Sequence, residues 1–216
     1  MKKAFLFILF LFAIGSFLIA ETAVIQELSG KVEVRPPGQG WARARTGMEI
    51  SGGTYVSTGF GASAVLELGG SILRVKQLTR MQLENIIERE GTLNTNLYLR
   101  VGKVRAEVRS TRGLRNNFRL RSPVSTAAVR GTIFEYDGVV LWVEDGSVVL
   151  SNLLGQSEEV SGGEESKTDK YSPPEDAEDI LNQLFQTASS LSGEGGLALL
   201  PELENNALVV LTLEWD

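Results

Sequence analysis

FRLRSPVSTAAVRGTIFEYDGVVLWVEDGSVVL, residues 118–150, reads as short β-strands separated by punctuation. Phe118 to Arg121 alternates apolar and basic side chains, the period of a strand with one wet face. Ser122-Pro123 interrupts it, and a run from Ala127 to Phe134 follows, with Arg130-Gly131-Thr132 inside it. Val139 to Glu144, a turn at Asp145-Gly146 and Val148 to Leu150 complete the stretch. None of it has the residue types of an active site, so it points to a β-built sensing or scaffolding module.

The same alternation is clearest just upstream. From Lys103 to Arg109, Val104, Ala106 and Val108 face one way, and Lys103, Arg105, Glu107 and Arg109 face the other. Further back, Val32 and Val34 alternate with charged residues, and Pro36-Pro37-Gly38 makes a turn. Glycines precede Thr54-Tyr55-Val56, Ala62 to Leu68 and Ser71 to Val75. Short strands with turns this frequent predict an all-β fold over residues 24–154, a sandwich, a barrel or a coil.

Composition narrows the function. The chain of 216 residues has an apolar fraction of 43%, enough for a core, and contains neither cysteine nor histidine. Disulfides, thiolate chemistry, and Ser-His-Asp and Cys-His catalysis are thereby excluded, and zinc sites disfavoured. Residues 100–130 hold nine Lys or Arg against Glu107, a net +8, while residues 144–216 hold sixteen acids against Lys167 and Lys170, a net −14. Such asymmetry marks an interaction surface or an acidic tail.

Residues 1–20 have the form of a secretory signal peptide: Lys2 and Lys3, an apolar run from Ala4 to Ile19, and a cut expected after Ala20. The alternative is an uncleaved anchor, because the run is near the lower limit for a membrane span. No cysteine follows it to carry a lipid. At the other end, residues 155–174 read as an acidic flexible linker. Residues 175–216 read as a helix with Glu175, Asp176, Glu178 and Asp179 in its first turns, followed by an apolar strand at 207–215. The strand of that small helix-plus-strand appendage is expected to dock as an edge strand on the β-domain or to pair within a small C-terminal unit, in preference to joining a partner's sheet edge.

Several motifs, taken in order, resemble the FecR domain family over roughly residues 30–150. They are Gly30-Lys31-Val32-Glu33-Val34 with Trp41, Gly53-Thr54-Tyr55-Val56-Ser57-Thr58-Gly59, Gly70 to Val75, Leu97 to Val104, Val129-Arg130-Gly131-Thr132 and Val143 to Val148. The resemblance implies a β-rich, solenoid-like fold in the periplasm. Signalling members of that family regulate a sigma factor across the inner membrane and carry a cytoplasmic segment before one membrane helix. Only three residues precede the apolar run here. The resemblance therefore implies a stand-alone exported FecR-domain protein rather than a direct sigma regulator.

Arg100, Lys103, Arg105, Arg109, Arg119, Arg121 and Arg130 form the candidate interaction surface, read as one continuous basic face. Gly131 is expected at a turn or close backbone approach. Arg130 is expected to serve structure, pairing with a carboxylate such as Glu135 or Glu144, in preference to binding an anion. Trp41, Trp142 and Trp215 are expected as core anchors. Glu164, Glu165 and Asp169 lack the spacing of a calcium loop, so no metal, cofactor or catalytic residue is expected. The partner expected is another envelope protein, with a cell-wall polymer or glycan as the alternative. A membrane is expected only through an uncleaved residue 1–20 segment. Nucleic acid is not expected, because the chain is net acidic and lacks aromatic residues interleaved with its basic ones. A carboxylate-pair hydrolase is the least favoured reading.

Overall fold

The structure, a computed structural model, describes residues 22–110 and 113–176, together with Asp179, Asn182, Phe185 and Gln186. The expected signal segment and the expected strand at 207–215 lie outside the described residues. Two compact units divide the chain, Met1–Ala177 and Glu178–Asp216. In the second, Asp179, Asn182, Phe185 and Gln186 are helical and exposed.

The first unit is all strand and turn. In chain order it contains β1 (Ala23–Ser29), β2 (Val32–Arg35), β3 (Ala42–Arg43), β4 (Glu49–Ile50), β5 (Tyr55–Thr58) and β6 (Ser63–Leu68). Then come β7 (Ser71–Val75), β8 (Arg80–Arg89), β9 (Thr92–Val101), β10 (Val104–Glu107), β11 (Arg115–Arg121) and β12 (Ser125–Val129). It closes with β13 (Ile133–Tyr136), β14 (Val140–Asp145), β15 (Ser147–Asn152), β16 (Ser157–Ser161), β17 (Glu165–Lys167) and β18 (Glu175–Asp176). Sheet I runs β4-β1-β6-β7-β10-β13-β14-β17-β18, and sheet II runs β3-β2-β5-β8-β9-β11-β12-β15-β16. Neither closes on itself, and the pair is sandwich-like.

Period two decides which side chains lie between the sheets. Val104, Ala106 and Val108 are buried, as their alternation predicts, and so are Ala64, Leu66 and Leu68 of β6. One core cluster takes side chains from both sheets. Phe118 of sheet II meets Phe134 of sheet I edge to face, with ring centroids 6.4 Å apart. Nearby, Ser125 of sheet II and the Tyr136 hydroxyl of sheet I are 2.5 Å apart. The Ser122 hydroxyl donates to the Gly138 carbonyl at 2.7 Å. The quoted stretch thus stitches the layers together.

The run from Ala127 to Phe134 is two strands, not one. Gly131, at φ +74°, turns the chain between β12 in sheet II and β13 in sheet I. Residues 155–174 also differ from the expected linker. β16 pairs with β15, and β17 pairs with β14. Val160, Ser166 and Thr168 are buried. The Asp169 carboxylate accepts backbone hydrogen bonds from Tyr171 (2.7 Å) and Ser172 (2.6 Å), which hold it below the usual carboxylate range and fix the turn. Glu175 and Asp176 pair with β17 instead of opening a helix. Polar composition reads as disorder, but here a few buried residues and a side-chain-capped turn suffice to order it.

Two experiments follow. Gly102 has φ +100°, and a Cβ there would lie 2.4 Å from the Thr79 backbone. Gly102→Ala is expected to cost about 3 kcal/mol or more, from left-handed backbone and overpacking together. Gly61→Ala, which meets nothing within 4 Å, is expected to cost only about 1–2 kcal/mol, and thermal denaturation of both variants separates the terms. Burial also raises the Tyr136 phenol above its ordinary value, against the opposing hydrogen bonds of Ser122 and Ser125. The unfolded phenol ionises near pH ~10 while the folded one keeps its proton, so stability is complete below that pH and falls above it. Denaturant titrations across this range should show the decline, and Tyr136→Phe should flatten it.

Candidate interaction surface

The outward residues of each strand belong to one of two separate faces. Arg105 and Glu107, from β10, lie on the outer face of sheet I. Arg119 and Arg121, from β11, lie on the outer face of sheet II, as does Arg100 near the end of β9. The seven candidate residues are therefore divided between opposite sides of the sandwich, not joined in one basic face. The physical reason is the passage from β10 to β11, which changes sheets.

The two faces are also electrostatically different. On the sheet I side, Arg105 pairs with Glu144, Arg109 with Glu107, and Lys76 with Glu135 at 3.1 Å, while Lys103 lies 4.0 Å from Asp137. These exposed pairs contribute little stability, but they neutralise the cations that take part in them. Of the candidate residues on sheet II, Arg121 is neutralised by two contacts to the Glu84 carboxylate at 2.6 and 2.7 Å. Among the described residues, Arg100, Arg119 and Arg130 have no carboxylate within salt-bridge reach. Arg130 therefore does not take its expected partner: Glu135 and Glu144 are held by Lys76 and Arg105.

Strand register lines up what surrounds these arginines. One row across sheet II reads Asn85, Asn96, Arg119, Ala128, Val149 and Glu159. Beside it, Arg115, Asn117, Ala128, Arg130, Val149 and Glu159 line a shallow open groove. Two asparagine pairs, Asn96 to Asn85 (2.7 Å) and Asn117 to Asn94 (2.9 Å), fix the polar floor across β8, β9 and β11. The Asn94-x-Asn96 spacing carried this period-two signal in the sequence.

Nearer β2, the Arg35 guanidinium lies 4.5 Å from the Tyr55 ring centroid and 5.2 Å from that of Trp41, and Arg80 lies 5.5 Å from Trp41. Trp41 is 39% exposed and Trp142 37%. Neither is the core anchor expected. Trp142 faces outward because its neighbours in β14, Leu141 and Val143, take the inward positions. Trp215 lies outside the described residues. No group of three or more potential metal ligands occurs among the described residues, and no helix among them is long and apolar enough to cross a membrane.

This surface predicts how its arginines affect stability. Arg121→Ala leaves Glu84 unpaired and should cost up to about 1 kcal/mol. Arg119→Ala and Arg130→Ala should each stay within about 0.5 kcal/mol of the parent. Urea denaturation would show a structural role for Arg130 as a loss well beyond that range.

Residues 54–149 match the family model described as FecR protein. No curated protein matches the chain. Two crystal structures from Parabacteroides distasonis, provisionally named as an anti-sigma factor, resemble it at 13% and 15% identity, with TM-scores of 0.46 and 0.45. Each comparison covers 60% of this chain, and 63% and 64% of those chains.

Proposed function

Because residues 54–149 are a FecR domain, we propose that this chain is an exported, non-catalytic binding module of envelope signalling that contacts a partner protein through the outer face of sheet II. The observation that carries this reading is the contrast between the faces. On the sheet I side Lys76, Arg105 and Arg109 are paired within the chain, whereas Arg100, Arg119 and Arg130 keep their charges free of carboxylate partners among the described residues. Arginine beside small apolar residues such as Ala128 and Val149 is the chemistry of a protein-binding patch for an acidic partner. Export is read from residues 1–20, and the lack of catalysis from the family and from a sequence without histidine or cysteine. The module is also read as solenoid-like around β9–β10–β11, where β9 and β11 are parallel and the chain passes through sheet I between them.

Envelope-polymer binding is the second reading, favoured by the exposed Trp41 beside the guanidiniums of Arg35 and Arg80. Rings and guanidiniums on a β-face suit an anionic glycan. Crosslinking in intact cells separates the two. The parent chain should capture a protein that an Arg119→Glu, Arg130→Glu double variant of equal stability loses. If the double variant captures the same protein, the sheet II face is not the binding surface. Salt-sensitive co-sedimentation with purified cell wall, abolished by Trp41→Ala, would instead establish the second reading.

A further inference from the structure

The end of the sandwich where β1, β5, β7 and β9 finish carries an apolar ridge that neither reading uses. Phe60 is 86% exposed, and Leu78 and Val101 are each 58% exposed. They stand on three neighbouring turns. The Leu78 amide donates to the Gly59 carbonyl at 3.2 Å, and the Lys103 amide donates to the Thr79 hydroxyl at 3.0 Å. The backbone presents these side chains at a cost. Leu78 has φ +54°, a left-handed conformation that a branched apolar residue rarely adopts. Phe60 lies between Gly59 and Gly61, in the turn between β5 and β6.

Five cations surround the ridge. Lys31, Lys76 and Lys103 lie on the same turns or next to them and are met by Glu33, Glu135 and Asp137. Arg80, at the start of β8, and Arg100, beside Val101, have no carboxylate within salt-bridge reach among the described residues. The three apolar side chains protrude into solvent. The adjacent grooves are lined by other residues, Lys103 to Glu165 on one side and Glu27 to Lys76 on the other, and hold none of the three apolar side chains. A partner helix would need a groove. Protruding apolar side chains ringed by long cationic ones, whose stems can lie along the apolar surface, fit the boundary of a bilayer instead.

We propose that this turn end docks on an anionic phospholipid surface, with Phe60, Leu78 and Val101 entering the acyl boundary and Arg80 and Arg100 meeting headgroup phosphates. The site adjoins the sheet II face and shares Arg100 with it, but Phe60, Leu78 and Val101 stand on the turns at its end.

The absence of cysteine allows a clean test with the full chain. An environment-sensitive fluorophore is placed by Val101→Cys, which keeps Phe60 and Leu78, and a control probe by Arg89→Cys at the opposite end of β8. With phosphatidylglycerol vesicles, emission from position 101 should rise and shift to the blue, while position 89 stays unchanged. Neutral phosphatidylcholine vesicles should give a much weaker response. Adding Phe60→Ser should weaken the apparent affinity about tenfold or more, and Arg100→Ala about fivefold. A dark probe at position 101, an equal response at position 89, or equal binding to neutral vesicles would overturn the proposal. Because the probe reads burial of the ridge, membrane attachment through residues 4–19 alone leaves position 101 dark.

Discussion

Two buried threonines hold the place where the chain passes from one layer to the other. Thr58 donates its hydroxyl to the Lys76 carbonyl at 2.6 Å and accepts the Thr79 amide at 3.0 Å. The Thr79 hydroxyl accepts the Lys103 amide and lies 3.1 Å from the Lys103 carbonyl. Both side chains are nearly inaccessible to solvent, so these bonds satisfy backbone groups that would otherwise be buried without partners. Gly102 completes the arrangement, because only a residue without a Cβ fits against Thr79. β5, β7 and β9 all end within this cluster. The register of both sheets, and hence which side chains face outward, follows from how these turns stack.

That register gives the two faces their different character. β10 faces outward on sheet I among the acids of β13 and β14, and its cations are absorbed there. β11 emerges on sheet II beside asparagines and small apolar residues, and Arg119 finds no acid. The outward arginines of the two strands, Arg105 and Arg119, thus acquire different electrostatic roles from the sheet each joins.

Much of the fold was legible in the sequence. Strand period two at Val104, Ala106 and Val108 was read directly, because each inward position is apolar and each outward one charged. The glycine punctuation marked most of the turns, but Ala127 to Phe134 read as one run although Gly131 divides it between two sheets. What could not be read was the partition of strands between sheets. An alternating strand has the same pattern in either layer, so the seven cations looked like one face. Trp41 and Trp142 misled for a related reason: aromatic size says core, but the parity of β14 sends Trp142 outward. The stretch at 155–174 misled through composition, since three buried residues and the Asp169 turn order it despite its polarity. Phe60 carried a signal that went unread, an aromatic isolated between glycines.

The strand orders have a mechanical side. Hairpins alternate between layers, and both sheets advance in the same direction, so β1 sits near one end of sheet I and β18 forms the other. Seven strand spacings separate them, about 34 Å. A pull applied between Ala23 and Asp176 therefore acts across the strands, along their hydrogen bonds. Loaded this way, the strands peel apart in succession, starting with the two-residue β18, instead of shearing together. The extent of the sheets across their strands is set by the number of hairpins, and under such a load the domain yields gradually from its C-terminal edge.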